Sequence, residues 1–417
     1  MAKTILQKIL AALARATIRK YKPLIIGVTG SVGKTSARMA AYAVLGKKFR
    51  ARTAEKNYNN EIGLPLAILG IPHYGHNMFA WSVALATAAF KIYGLAKTID
   101  FPEVLVLEYG VDRPGDMDYL LSIARPGIAL VTAIGDIPVH VEFFKNREAL
   151  IQEKTKLVGA LPAGGYAILN RDDRAVYDMR GKTSARILTF GRDVHADIKI
   201  ANEHPAVSLS GITFKLEYKG STVPVRLDGL FGAPQVYACA AGVALGLANE
   251  MHLVEAVEAL QGYTPPPGRM RIIEGLRGSH ILDDTYNSAP EAMRAALETL
   301  ADMPAARKIA VLGDMRELGD YTETAHRAIG LQAARCADMI YCVGEHAKYI
   351  AEEAIAAGFD RSNISLFPDA GAAGTALKPL IRERDLVLVK GSQSMRMEKI
   401  VEALMARPSE APSFLVR

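Results

Sequence analysis

Short apolar runs bounded by polar or glycine-rich turns alternate along this chain with stretches whose apolar positions recur every three or four residues. The runs at 24–26, 104–107, 128–132 and 166–169 predict strands buried on both faces, as in a mainly parallel sheet. Between and after them, helical spacing predicts helices at 35–45 and 146–158, and two alanine-rich helices within 234–261. Residues 186–231 alternate apolar and polar positions between Gly and Ser breaks, which predicts β-hairpins. Thr264-Pro265-Pro266-Pro267-Gly268 can join neither helix nor sheet and reads as a linker. Beyond it, strands are expected at 280–283, 308–312, 339–343 and 385–389, with helices at 290–301, 321–336, 346–357 and 395–405. The pattern therefore predicts an α/β chain with an N-terminal helix (1–22), a mainly parallel sheet domain with a β-hairpin region (23–264) and a second domain of Rossmann type (265–417).

Two stretches stand apart from this alternation. Ile5, Leu6, Ile9, Leu10, Leu13 and Ile18 fall at helical spacing, with Lys3, Lys8, Arg15, Arg19 and Lys20 around them. Such a basic amphipathic helix either packs on its own domain or lies on a membrane surface. Gln7 and Lys8 interrupt the apolar run, so a signal peptide is not expected there. From Ile62 to Phe90 there is no Asp, Glu, Lys or Arg. Residues 78–90 are too few for the roughly 20 that span a bilayer, so a buried or interface-lying helix is expected there. Residues 1–20 and 62–90 are thus the two candidates for peripheral membrane contact.

Length and composition narrow the class. A chain of 417 residues, half of them hydrophobic and 23% charged, suits two or three globular domains. Its net charge of +6 is spread without blocks, which suits anionic small molecules or an acidic membrane surface and argues against nucleic acid. Cys239, Cys336 and Cys342 show no metal-ligand spacing and read as buried thiols of a reducing, cytoplasmic compartment.

The candidate chemistry begins at residues 24–36. An apolar strand runs into a loop holding Gly27, Gly30 and Gly33, and Lys34-Thr35 then opens a helix. Glycines let backbone N–H groups approach phosphate oxygens, the helix N-terminus adds a positive dipole end, and Lys34 adds a point charge. The Thr35 hydroxyl can ligate Mg²⁺. Val28 stands where a P-loop has its first glycine, so the match falls one position short. ATP is the expected cofactor. Taken singly, Glu108 at a strand end, His140 in a loop and Lys154 on a helix are ambiguous. In that order after a phosphate loop, they could place two Mg²⁺ ions around a terminal phosphate.

The chain resembles the Mur ligase family, and within it the branch that adds D-alanyl-D-alanine. The matching stretches are Thr29-Gly-Ser-Val-Gly-Lys-Thr35, Asn59-Asn-Glu-Ile-Gly-Leu-Pro65, Leu107-Glu-Tyr-Gly110, Arg113-Pro-Gly-Asp116 and Ile168-Leu-Asn-Arg-Asp-Asp173. Beyond the linker they are Gly268-Arg-Met270, Asp283-Asp-Thr-Tyr-Asn-Ser-Ala-Pro290, Leu312-Gly-Asp-Met-Arg-Glu-Leu-Gly319, Val389-Lys-Gly-Ser392 and Met395-Arg-Met-Glu398. The resemblance implies an ATP-dependent amide-bond ligase that forms ADP and phosphate through an acyl phosphate. It implies small peptide and amino-acid substrates, with D-alanyl-D-alanine or a similar dipeptide joined to a peptidoglycan precursor.

Residue by residue, the resemblance places Gly30, Ser31, Gly33, Lys34, Thr35, Ser36 and Asn60 around the nucleotide. Thr35 and Glu108 would serve the first Mg²⁺ and His140 the second, with Lys154 as a carbamoylated, metal-bridging lysine. Arg269 would reach the phosphates from the second domain, and Asp284, Tyr286 and Asn287 would hold ribose and base. Asp314, Glu317, Lys390 and Ser392 would serve the substrate. Departures from the pattern are Ala133 in Thr132-Ala-Ile-Gly135, Pro234-Gln235 for a His-Asn pair, a longer loop around His140, and an apparent insertion at 62–90. Only 23 residues precede the nucleotide strand, so the UDP-sugar-gripping N-terminal domain is expected to be absent. Two other readings stay open. One is a two-domain ligase acting on a different carboxylate, polyglutamate-like or lipid-linked. The other is a nucleotide-binding partner subunit without ligase activity.

Overall fold

A computed structural model describes residues 2–54, 58–93, 100–204 and 211–416. Asn57 of the polar turn, the side chain of Lys3 and residues 205–210 of the expected hairpin region lie outside the described part.

The first sheet contains β1 (Leu24–Thr29), β2 (Ala51–Thr53), β3 (Val104–Glu108), β4 (Ile128–Val131), β5 (Tyr166–Asn170), β6 (Arg186–Gly191), β7 (Ile198–His204), β8 (Gly211–Tyr218) and β9 (Ser221–Asp228). Their order is β2-β3-β1-β4-β5-β6-β7-β8-β9. From β2 through β7 every pairing is parallel, and only β7, β8 and β9 form an antiparallel meander. The antiparallel pairing expected at 186–231 is present in β7–β9, and the expectation is corrected only at β6. Alternation signals one buried face, but strand direction is set by the neighbour, and β6 lies parallel to β5 through the register Ile168↔Leu188.

Both faces of this sheet are covered, which is why β3 and β4 are buried throughout. Helices Lys34–Gly46 and Ala233–Ala248 pack on one face. They approach so closely that a Cβ on Gly242 would stand 2.9 Å from the carbonyl carbon of Ala40. Helices Ala2–Tyr21, Gly63–Leu69, Asp116–Ile123 and Arg147–Gly159 contribute to the core on the other face. Ala11 and Ala14 of the first helix belong to that core, so one side of the helix packs on the sheet domain while Ile5 and Ile9 stay exposed. Among the described residues, no helix is long and apolar enough to cross a membrane.

The second sheet contains β10 (Arg271–Glu274), β11 (His280–Asp284), β12 (Arg307–Gly313), β13 (Met339–Val343), β14 (Ile364–Phe367) and β15 (Asp385–Lys390). Its order is β10-β11-β15-β12-β13-β14, parallel except for β10. β10, β14 and helices Asp116–Ile123 and Ala370–Leu377 extend the expected set of elements.

On β11, Asp283 is fully buried, and its Oδ1 accepts from the Thr285 N–H (3.2 Å) and hydroxyl (2.7 Å). Burial pushes its carboxyl up to about 6 from 3.8. The folded state therefore holds this proton more tightly than the unfolded chain does. The associated stability is complete below the unfolded value and is lost as pH rises through about 6. Asp283→Asn keeps the Oδ1 acceptor and removes the buried charge. Urea melts between pH 4.5 and 7.5 are expected to show the variant gaining on the wild type with rising pH, to about 2–3 kcal/mol.

Candidate active site

The C-terminal ends of β1, β3 and β4 meet at one sheet edge, where open α/β sheets bind ligands. The loop after β1 is fixed from β4. Ser31 N–H and Val32 N–H both donate to the Ala133 carbonyl, at 2.6 and 3.1 Å, and the Thr132 hydroxyl donates to the Val32 carbonyl at 2.6 Å. The departure at Ala133 thus leaves the loop anchored, because the anchor is a backbone oxygen that any residue supplies. Gly30 has φ +144°, and a Cβ there would stand 2.1 Å from the Thr132 hydroxyl. Gly33 has φ +82° and caps helix Lys34–Gly46, whose first N–H groups have no helical partner. The loop therefore needs glycine at both positions.

Around this loop lies a set of charged groups. The Thr35 hydroxyl donates to Glu108 Oε2 (3.1 Å), and Asn59 Nδ2 donates to Glu108 Oε1 (3.3 Å). Arg38 Nε lies 3.5 Å from Glu108 Oε2, with both side chains almost wholly buried. The other end of Arg38 donates to the Thr53 hydroxyl and the Ala54 carbonyl. Lys34 is held by the Ser31 carbonyl at 3.3 Å. Burial lowers its pKa, and Glu108 opposes that shift. Lys154 is 1% exposed and donates to the Gly30 carbonyl (3.1 Å). Burial, then the Lys34 charge, lower its pKa to about 7.

The second half of the chain closes the site. Arg269, directly after the Pro-rich linker, donates to the Thr35 hydroxyl at 3.3 Å, and its guanidinium lies 4.1 Å from the Tyr286 ring centroid. Gln235 donates to the Arg269 carbonyl (2.9 Å) and accepts from the Tyr263 hydroxyl (2.6 Å). The Pro234-Gln235 departure thus fastens the linker. Across the gap, His140 Nδ1 lies 2.7 Å from Glu317 Oε2. The result is a cavity of about 480 Å³ between the two sheets.

Of the expected residues, Ser31, Gly33, Lys34, Thr35, Glu108, His140, Arg269, Tyr286, Asn287, Glu317 and Ser392 line this cavity. Gly30 opens the loop without lining the cavity, Ser36 is buried in the first turn of the helix after it, and Lys154 lies beneath the loop. Asn60 is a correction. Its Oδ1 accepts from Ile62 N–H (3.2 Å) and Gly63 N–H (2.9 Å), capping a helix start, while the preceding Asn59 faces Glu108. Asp284 and Lys390 are also corrected. They form a buried ion pair (2.5 Å) in which Lys390 also donates to the Asn287 carbonyl, and neither lines the cavity. Asp314 is fully buried behind the cavity wall: its Oδ1 accepts from the N–H groups of His346 and Ala347, and its Oδ2 pairs with the cavity-lining Arg316 at 3.0 Å.

His140 faces Glu317 and Asp112 (3.4 Å), and among the described residues no three His, Cys, Asp or Glu side chains gather to hold a metal. Arg38 and Asp112 are site residues outside the matching motifs, and Asn59 and Arg316 are site residues that stand within them but were assigned no role.

The sequence pattern of the Mur ligase middle domain matches residues 91–246, and that of the Mur ligase, glutamate ligase domain matches residues 268–393. The UDP-N-acetylmuramoyl-tripeptide–D-alanyl-D-alanine ligase of Mycobacterium tuberculosis is 33% identical, over 95% of this chain and 77% of that protein. The Bacillus subtilis protein of the same name is 29% identical, over 96% of this chain and 79% of its own length. The structure of MurF ligase from Thermotoga maritima in complex with ADP superposes with a TM-score of 0.76 at 26% identity, covering 98% of this chain and 84% of that one. With the phosphate loop, the strand-end carboxylate and the linker arginine converging on one cavity, this chain belongs to the Mur ligase family of ATP-dependent ligases.

Proposed function

We propose that this protein joins D-alanyl-D-alanine to the peptide carboxyl group of a UDP-linked muramyl tripeptide, with ATP converted to ADP and phosphate. The observation that carries this reading is a single cavity built from both halves of the chain. Lys34, Thr35 and Glu108 come from the first half and Arg269 from the second. The names of the relatives supply the substrate class.

The residues suit phosphoryl transfer, which is chiefly positioning and charge neutralisation. Lys34 and Arg269 both line the cavity and would neutralise charge on the transferring phosphoryl group. A carboxylate oxygen of the donor attacks the γ-phosphorus, the bond to ADP breaks, and an acyl phosphate forms. The amine of the dipeptide then attacks the acyl carbon. The amine nitrogen gives up its surplus proton to solvent, and the tetrahedral intermediate expels phosphate, leaving an amide that keeps one N–H. The Thr35 hydroxyl and Glu108 carboxylate are hard oxygen donors side by side, the donor type Mg²⁺ takes along with phosphate oxygens. Bound there, Mg²⁺ would neutralise phosphate charge. Closure between the two sheets keeps water from the acyl phosphate.

ADP release measured with ATP, UDP-muramyl tripeptide and D-alanyl-D-alanine tests this reading. Turnover that needs both substrates is expected. Background turnover with both at saturation would overturn the substrate assignment.

A lysine pKa lowered to about 7 makes the neutral amine, the form that adds carbon dioxide, a substantial share near neutral pH. Carbamoylation would turn Lys154 from a cation repelled by Lys34 into an anion beside it. A ¹³C carbamate signal is expected after incubation with labelled bicarbonate. The Lys154→Arg variant is expected to lack it.

A further inference from the structure

Helix Met78–Tyr93 has two distinct faces. Trp81, Ala84, Ala88 and Ile92 are buried, at offsets of three, seven and eleven residues. On the other side, Met78, Phe79, Val83, Phe90 and Tyr93 are 71, 80, 50, 69 and 73% exposed. Five large apolar side chains displayed within 16 residues are far from ordinary surface scatter.

The first helix, Ala2–Tyr21, lies beside it and runs the same way. Leu10 shares a cluster with Trp81, and Leu13 shares one with Ala88 and Ile92. At the far end the Lys20 ammonium donates to the Lys91 and Ile92 carbonyls, at 3.0 and 2.8 Å. Ile5 and Ile9 of this helix are exposed as well. Around the apolar positions stand Lys8, Arg19, Lys20 and Lys91, all exposed. Neither helix contains an Asp or Glu. Beside the stripe opens an apolar groove of about 340 Å³ between Leu69, Ile71, Tyr74 and Val83, with Lys91 at its wall.

We propose that this two-helix face docks on an anionic phospholipid surface. Apolar and aromatic side chains on one face of a helix, flanked by cations without carboxylates, are the make-up of a helix lying in a bilayer interface. The cations complement anionic headgroups, and each adds to the attraction near the surface. A second copy would present the same cationic face and be repelled, which disfavours self-association as the occupant. The proposal goes beyond the ligase reading and does not depend on it.

Sedimentation of the full chain with vesicles tests it, using phosphatidylglycerol–phosphatidylcholine and phosphatidylcholine alone. Binding to the anionic vesicles is expected, weaker by about tenfold on neutral vesicles or when NaCl rises from about 0.05 to about 0.5 M. The double variant Phe79→Glu/Phe90→Glu changes only exposed positions. It is expected to lower binding about tenfold or more while its thermal melt and ADP release stay at wild-type values. Lys8→Glu/Arg19→Glu is expected to weaken binding to anionic vesicles alone. No binding by the wild type, or binding unchanged in both variants, would overturn the proposal. So would a wild-type dimer in light scattering that Phe79→Glu/Phe90→Glu converts to monomer without any vesicle binding, since a second copy would then be the occupant.

Discussion

Lys34→Ala is expected to lower ADP release by about a thousandfold, equivalent to about 4 kcal/mol of barrier. Lys34 sits at the mouth of the loop with its ammonium on the Ser31 carbonyl, and burial already disfavours its charge. That strain is relieved when phosphate oxygens enter the cavity, and most when negative charge builds on the transferring group. The benefit is therefore concentrated in the transition state, and kcat should fall more than KM rises. A coupled ADP assay with both substrates reads the effect, and a thermal melt checks that the fold is kept. Turnover within tenfold of wild type would mean that another group neutralises the phosphate.

Arg38→Leu is expected to destabilise the protein by about 3–5 kcal/mol, the scale for removing one partner of a buried ion pair. Arg38 is 2% exposed and joins three elements. Its Nε faces Glu108 on β3, and its guanidinium also binds Thr53 of β2 and Ala54 beyond it, all from helix Lys34–Gly46. Without it, Glu108 keeps Thr35 and Asn59 as partners but loses its buried counter-charge. Urea denaturation reads the loss of stability. ADP release should fall as well, because the carboxylate that faces Thr35 is no longer held in place. A loss below about 1 kcal/mol would place Arg38 in a solvated setting instead.

Much of this site was legible in the sequence. Lys34, Thr35, Glu108 and Arg269 were each found from a motif, and the structure places all four on one cavity wall. The motifs work because they specify backbone geometry: Gly30 and Gly33 take positive φ where no other residue fits easily. Side-chain direction was less legible. Arg38 falls within a predicted helix, and periodicity says nothing of where a long side chain delivers its charge. Asn59 and Asn60 are the same residue type side by side, and only the helix start at Gly63 decides which of them caps and which faces Glu108. Asp284 and Lys390 lie 106 positions apart, so nothing local announces that they neutralise each other. In the fold, the same limit appears at β6, where alternation marked a strand but could not tell a parallel neighbour from a hairpin partner. Helix Ala370–Leu377 went unread because Gly371 and Gly374 dilute its helical signal.

The central claim is that the paired cations and the Thr35–Glu108 edge transfer phosphate to a substrate carboxylate. Oxygen tracing tests it most directly. The donor carboxylate is labelled with ¹⁸O, one turnover is run with ATP and the amine, and the released phosphate is analysed by mass spectrometry. An acyl phosphate predicts that one ¹⁸O moves from the carboxylate into inorganic phosphate. Unlabelled phosphate alongside labelled amide would contradict it.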